Sequence, residues 1–304
     1  MQPSVKVKAK LSIRPIEIDG GQEMHVYISV DMEGIAGIAT LDQTIRGGGG
    51  YHRAQMLMTA ETNAAIAGAF DAGATSVLVN DSHGTMDNLL HADLDPRARL
   101  IFGTPKMQCM AEGLTSDHDV ALFVGYHAPA GGPGVLAHTF SSLFADVRLD
   151  GKSVSETDVN TLYAATQGVP VGLVTGDDII CGLVDAASPT TETVEVKKAH
   201  GWSATNSLPP SLACEQIRAG AERAVRKADT LKPVELRGEW TLEIVHPTTT
   251  GAELAEAVPG SRRISDRTIS HTLGSVDDIL GLITVNARLA AAGVSTIIAV
   301  ANRT

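Results

Sequence analysis

Three runs of consecutive apolar residues stand out along the chain: Val26-Tyr27-Ile28-Ser29-Val30, Ser76-Val77-Leu78-Val79 and Ala121-Leu122-Phe123-Val124. Continuous apolar runs of this length predict strands buried on both faces, as in a parallel sheet covered by helices. Between the first two lies an Ala- and Met-rich stretch, about Ala54 to Ala72, that predicts a helix ended by Gly73. Further strands are expected at 100–102, 144–149 and 170–175, with a short helix at 107–113 and a helix at about 156–167. The alternation predicts an α/β fold: a mostly parallel sheet with helices on both faces. From about 190 the rhythm changes. Strands are expected at 193–196, 240–245 and 263–270, helices near 211–228, 250–257 and 275–292, and a last strand at 295–300, together a smaller α+β second domain. The expected division is an N-terminal arm over 1–23, an α/β domain over 24–190 and the second domain over 191–304. The arm alternates Val5, Val7, Leu11 and Ile13 with polar residues and is broken by Gly20-Gly21, as a half-exposed strand would be.

Composition narrows the function classes. A chain of 304 residues, 43% hydrophobic and 19% charged, is long enough for a large core. The net charge of −11 speaks against a general nucleic-acid or anionic-membrane surface. No uninterrupted apolar run is long enough to span a bilayer, and Met1 to Lys10 lacks the apolar centre of a signal peptide. Cys109, Cys181 and Cys214 are widely spaced and form no Cys-x-x-Cys pair. They read as reduced thiols of a cytoplasmic protein.

The chemistry collects where the apolar runs stop. The first ends in Asp31-Met32-Glu33-Gly34, the second in Asp81-Ser82-His83, the third in Tyr126-His127. If the strand continued past Val30, Asp31 and Glu33 would project from one face, roughly 6–7 Å apart. Two buried carboxylates so placed raise each other's pKa unless a cation lies between them. In parallel sheets ligands bind beyond the carboxyl ends of the strands, where all three segments fall. Each residue also has a plainer reading. Asp31 and Glu33 suit a solvated turn; His83 and His127 suit loop or strand-end histidines. Glu156 fits a helix capping box with Ser153 as N-cap, and His138 suits a surface or core position. Gly47 to Gly50 lacks the ending of a phosphate-binding loop and reads as a flexible loop. Taken together, Asp31, Glu33, His83, His127 and Glu156 supply three carboxylates and two imidazoles, enough for two divalent ions. Mixed N/O ligation without cysteine suits zinc, manganese or cobalt.

At these residues the chain resembles the D-aminopeptidase (dipeptide transport protein) family of binuclear zinc peptidases. The resemblance rests on Ser29-Val30-Asp31-Met32-Glu33-Gly34, Val79-Asn80-Asp81-Ser82-His83, Gly125-Tyr126-His127-Ala128, Pro133-Gly134-Val135 with His138, Glu156, and Gly176-Asp177-Asp178. In order and spacing it covers about nine-tenths of the chain, from Met24 onward. It implies a metal-dependent aminopeptidase that removes N-terminal D-residues from short peptides or amino-acid amides, with two zinc ions per chain. It further implies that Asp31 is the bridging ligand, that Glu33 completes one zinc site, that His83, His127 and Glu156 hold the second, and that His138 is catalytic. It implies a ring-shaped homodecamer. The residues themselves leave open a metal-dependent hydrolase of a non-peptide amide, hydrazide or ester on the same scaffold. A phosphoesterase would need more basic residues near the ligand motifs than Arg53, Lys106 and Arg148 supply.

Overall fold

The computed structural model describes residues 23–302. The expected arm, except for its last residue, lies outside the described residues. In chain order the elements are β1 (His25–Val30), α1 (Leu41–Thr44), α2 (Tyr51–Asp71), β2 (Ser76–Asp81), β3 (Ala98–Ile101), β4 (Val120–Tyr126), β5 (Asp146–Leu149), β6 (Lys152–Ser153) and α3 (Glu156–Thr166). There follow β7 (Val171–Asp177), α4 (Asp178–Ala187), β8 (Glu192–Gly201), β9 (Ala204–Ser207), α5 (Pro210–Arg226), β10 (Trp240–Val245), α6 (Thr249–Glu256), β11 (Arg262–Arg263), β12 (Thr268–Leu273) and α7 (Val276–Ala301).

Seven strands form the main sheet in the order β3-β2-β1-β4-β7-β8-β9. All neighbours are parallel except the terminal pair β8 and β9. Both faces are covered, which explains the unbroken apolar runs. On β1, Val26, Ile28 and Val30 enter the core shared with α2 and α5, while Tyr27 enters the core on the opposite face with α3 and α7. The chain leaves β1 toward β2 and β3, then returns to lay β4 on the other side of β1. The β1/β4 junction is therefore a switch point, and the crevice beyond its carboxyl end is where a ligand fits in such sheets.

A second, antiparallel sheet runs β11-β12-β10-β5-β6. Sheet membership does not follow the line at 190/191: β5 and β6 join β10 in the second sheet, and β8, β9 and α5 belong to the first layer system. The expected helix at 107–113 is only a short 3-10 turn over Cys109–Ala111. The expected strand at 295–300 is the last part of α7, which runs unbroken through Gly293. Gly293 packs on Gly251 of α6, where a Cβ would lie 2.6 Å from the Gly251 nitrogen. That close helix crossing overrides the β-branched run Val294 to Ile298. Read as one helix, α7 is long and apolar enough by length and composition to cross a bilayer; splitting it at 292–295 hid this in the sequence.

Candidate metal centre

Asp31 and Glu33 converge, but not by strand alternation. β1 ends at Val30, and the chain then turns against β4, with Asp31 N–H donating to Val124 O (2.8 Å) and Gly34 N–H to Gly125 O (2.7 Å). Gly34 permits the turn, because a Cβ there would lie 2.1 Å from Tyr126 O. As a result both carboxylates reach one imidazole: His83 Nδ1 lies 3.2 Å from Asp31 Oδ1 and 2.8 Å from Glu33 Oε2. The other oxygen of Asp31 faces the neighbouring group, with Oδ2 3.3 Å from His127 Nε2. Glu156 Oε2 stands 3.4 Å from the same nitrogen. All five expected ligand residues and His138 are thus brought together. His83 packs with Asp31 and Glu33, while His127 and Glu156 group with His138. Asp31 touches both groups.

The histidines are oriented from behind by backbone carbonyls. His83 Nε2 donates to Thr44 O (2.8 Å), His127 Nδ1 to Ala128 O (2.9 Å) and His138 Nδ1 to Leu136 O (2.8 Å). A carbonyl only accepts, so each bond fixes a tautomer and turns the other ring nitrogen toward the carboxylates. Burial opposes charge on His83 and His127. The carboxylates outweigh it, Glu33 and Asp31 on the first and Glu156 and Asp31 on the second, and hold both pKa values well above the usual imidazole range. Asp31 is likewise penalised by burial, yet its bonds to His127 and His83 hold its pKa down at about 2.

The packing leaves polar atoms without partners. Asp31 Oδ2, Glu33 Oε2 and His127 Nε2 are buried and make no aligned hydrogen bond, despite lying within contact distance of one another or of His83. Buried polar atoms are normally satisfied, so unaligned donors and acceptors aimed at common points suit a cation.

Glu156 is free for this role because the capping box at α3 lies two residues beyond the expected one. Ser155 is the N-cap and Asp158 reaches back to it, not Ser153 and Glu156. Glu156 Oε1 instead accepts from Phe140 N–H (2.5 Å). His138 stacks on His127 at 4.2 Å, and its Nε2 lies 3.8 Å from Glu156 Oε1. Its side chain is 18% exposed, the most open of the six, and it lines a cavity of about 660 Å³. Asp81 accepts from Asn88 and Leu89 N–H and so shapes the loop after His83.

Sequence reasoning missed the groups that hold the ligand loops. Lys197 is fully buried on β8, and its ammonium donates to the carbonyls of Glu33, Ile35 (2.9 Å) and Ile38 (2.7 Å). Glu61 on α2 accepts from Ala36 N–H at 2.8 Å. Together they grip the segment after Asp31. Burial pulls the pKa of Lys197 down to about 8 and pushes that of Glu61 up to about 7. Asp177 Oδ2 accepts from Val135 N–H (2.7 Å), and Trp202 O accepts from Leu136 N–H (2.7 Å), anchoring the loop that carries His138. Of the five non-glycine residues with positive φ among the described residues, four, Met86, Cys109, Leu136 and Phe140, line the same cavity. Such backbone costs of order 1–3 kcal/mol each and concentrates where a site is shaped.

Comparison with known proteins places the chain in a family. The model of a family described as D-aminopeptidase matches residues 24–285. A D-aminopeptidase of Bacillus subtilis (strain 168) is 37% identical over 238 residues, 78% of this chain and 87% of the relative. A solved structure, the Zn-dependent D-aminopeptidase DppA from Bacillus subtilis, described as a self-compartmentalizing protease, superposes with a TM-score of 0.85 at 33% identity. That match covers 88% of this chain and 98% of the solved one.

Proposed function

This chain belongs to the D-aminopeptidase family, and from that premise we propose that it is a zinc-dependent aminopeptidase releasing N-terminal D-residues from short peptides or amino-acid amides. Asp31, Glu33, His83, His127 and Glu156 would hold two divalent ions, with Asp31 shared between them. The observation that carries this is the set of buried, facing and unsatisfied atoms on Asp31, Glu33 and His127 at the switch point of the sheet. Ions bound there would supply Lewis acidity and a water of lowered pKa.

The chain's own residues do the rest. With Nδ1 committed to Leu136 O, His138 exchanges protons at Nε2, the nitrogen next to Glu156. From there it can protonate a leaving amine or stabilise developing negative charge on a scissile carbonyl. Glu156, tied to Phe140 N–H, fixes the distance between that histidine and the ligand cluster. The reading includes assembly into a ring-shaped decamer, in keeping with the description of DppA as self-compartmentalizing. It also includes a cytoplasmic setting, in keeping with three unpaired thiols.

The test is metal content per chain, measured with amine release from paired D- and L-amino-acid amides. Two ions per chain and D-selective hydrolysis, lost on chelation, are expected. Asp31→Ala should lose both metal and activity, while His138→Ala should keep its metal and lose about 10²–10⁴-fold in kcat. Two ions retained by Asp31→Ala would overturn its shared role. Unchanged turnover in His138→Ala would overturn the proton-transfer assignment.

A further inference from the structure

We propose that Arg288 on α7 binds the C-terminal carboxylate of the peptide substrate, so that the enzyme selects short peptides with a free carboxylate over their neutral amides. The inference rests on the aminopeptidase reading and deepens it. Three cations line the cavity that opens onto the metal centre: Arg46, Lys106 and Arg288. Two are engaged. Arg46 Nη2 donates to Asp87 Oδ1 (2.5 Å) and Thr85 Oγ1 (3.3 Å). Lys106 Nζ donates to Asn80 Oδ1 and Asp81 O, both at 2.6 Å. The guanidinium of Arg288, an exposed residue, has no hydrogen-bond or ion-pair partner among the described residues.

Its position also matters. Thr284, Ala287, Arg288 and Ala291 all line the cavity, spaced as one face of a helix. Thr284 donates back to Leu280 O (2.9 Å), and the two alanines are short, so Arg288 is the one long cationic side chain on this wall. The same cavity is lined by Asp31, Glu33 and Glu156. A zwitterionic peptide is complementary to such a cavity, its amine toward the acidic ligand end and its carboxylate toward the free guanidinium. Guanidinium pairs with carboxylate through two parallel bonds, whereas an amide offers it one neutral oxygen. A cavity of about 660 Å³ is of small-molecule size, which fits a peptide of a few residues whose two ends are both read.

The experiment compares kcat and KM for a D-alanyl dipeptide and for its C-terminal amide, using the metal-loaded enzyme and the variants Arg288→Gln and Arg288→Lys. The wild type should favour the free acid. Arg288→Gln should lower kcat/KM for the acid by roughly 10- to 100-fold, mainly through KM, and that for the amide far less. The acid-to-amide ratio then collapses toward one, and Arg288→Lys restores part of it. A ratio untouched by Arg288→Gln, an equal loss on both substrates, or no preference in the wild type overturns the proposal while leaving the aminopeptidase reading intact. Hydrolysis of neither substrate by the wild type overturns both.

Discussion

Glu61 is a carboxylic acid with almost no access to water, and its chemistry is set by that fact. Burial pushes its pKa from the ordinary 4.5 up to about 7, against the opposing effects of the Ala36 N–H and Lys197. Between those two values the folded protein keeps a proton that the unfolded chain releases. The contribution of this group is therefore fully present below pH 4.5 and is lost as pH rises through 7. The loss amounts to about 3 kcal/mol, from a shift of roughly 2–3 units at about 1.4 kcal/mol each. Glu61→Gln keeps an acceptor for Ala36 and removes the titration. Its stability relative to wild type should rise across that window, read as denaturant midpoints of the metal-stripped proteins at pH values bracketing it. Parallel pH profiles for the two proteins would show that Glu61 ionises normally. At this scale the sequence was informative about the candidate ligands and silent about supports. Asp31, Glu33, His83 and His127 announce themselves because each ends an apolar run. Lys197 and Glu61 sit inside a strand and a helix, far apart in sequence, and only the fold brings both onto the loop after β1. Arg288 was equally hidden, since nothing local marks which face of α7 meets the cavity.

At the scale of elements, periodicity located most strands and helices but ended α7 at 292, short of its observed end at Ala301. Its β-branched end favours a strand locally, by a propensity that tertiary contacts readily override. The contact that overrides it is the α6–α7 crossing at Gly251 and Gly293, where the two backbones meet without side chains between them. A methyl group at 293 would lie 2.6 Å from one backbone atom of Gly251 and 2.8 Å from another, so one helix must move. Gly293→Ala should therefore destabilise the protein by about 1–3 kcal/mol, despite alanine's better helix propensity. Gly281, on the same helix, has nothing within 4 Å of its Cβ direction. Gly281→Ala should stabilise by about 0.5–1 kcal/mol. The pair separates packing from propensity within one helix, and thermal midpoints moving the same way would refute the crossing as the cause. The capping box shows the same limit of local reading. Ser153 and Ser155 both precede an acid three residues on. The sequence does not choose between them, but the choice decides whether Glu156 caps a helix or faces the metal centre.

For the whole molecule, the outer surface of α7 raises the question of what covers it. Val285, Ile297, Ile298 and Val300 are 45–59% exposed, and Leu254 and Ile264, on the neighbouring α6 and just beyond β11, are also exposed. A bilayer is one candidate, since α7 is apolar over a sufficient length. Yet Val276, Ile279, Leu280 and Ile283 are buried in the core that joins the two sheets. Spanning would need about 20 free apolar residues, and the helix could supply them only by pulling that half out of the core. A second copy of the chain requires no such rearrangement, and it is the occupant that suits a relative of a self-compartmentalizing protease. Exposed apolar surface of this kind marks association sites in soluble proteins. The wild type should therefore run as a large oligomer by light scattering and leave lipid vesicles unbound. Ile297→Glu combined with Ile298→Glu should place charges on the exposed face, lower the assembled mass and keep the far-UV signature of the folded chain. Assembly would also bear on the enzyme, because the face of α7 carrying Arg288 lines the cavity while the Ile297–Ile298 end is exposed and apolar. If the helix couples them, the disassembled variant should lose its preference for free carboxylates together with its mass. If it keeps the preference at reduced mass, the specificity site is complete within one chain, and the assembly serves to enclose it.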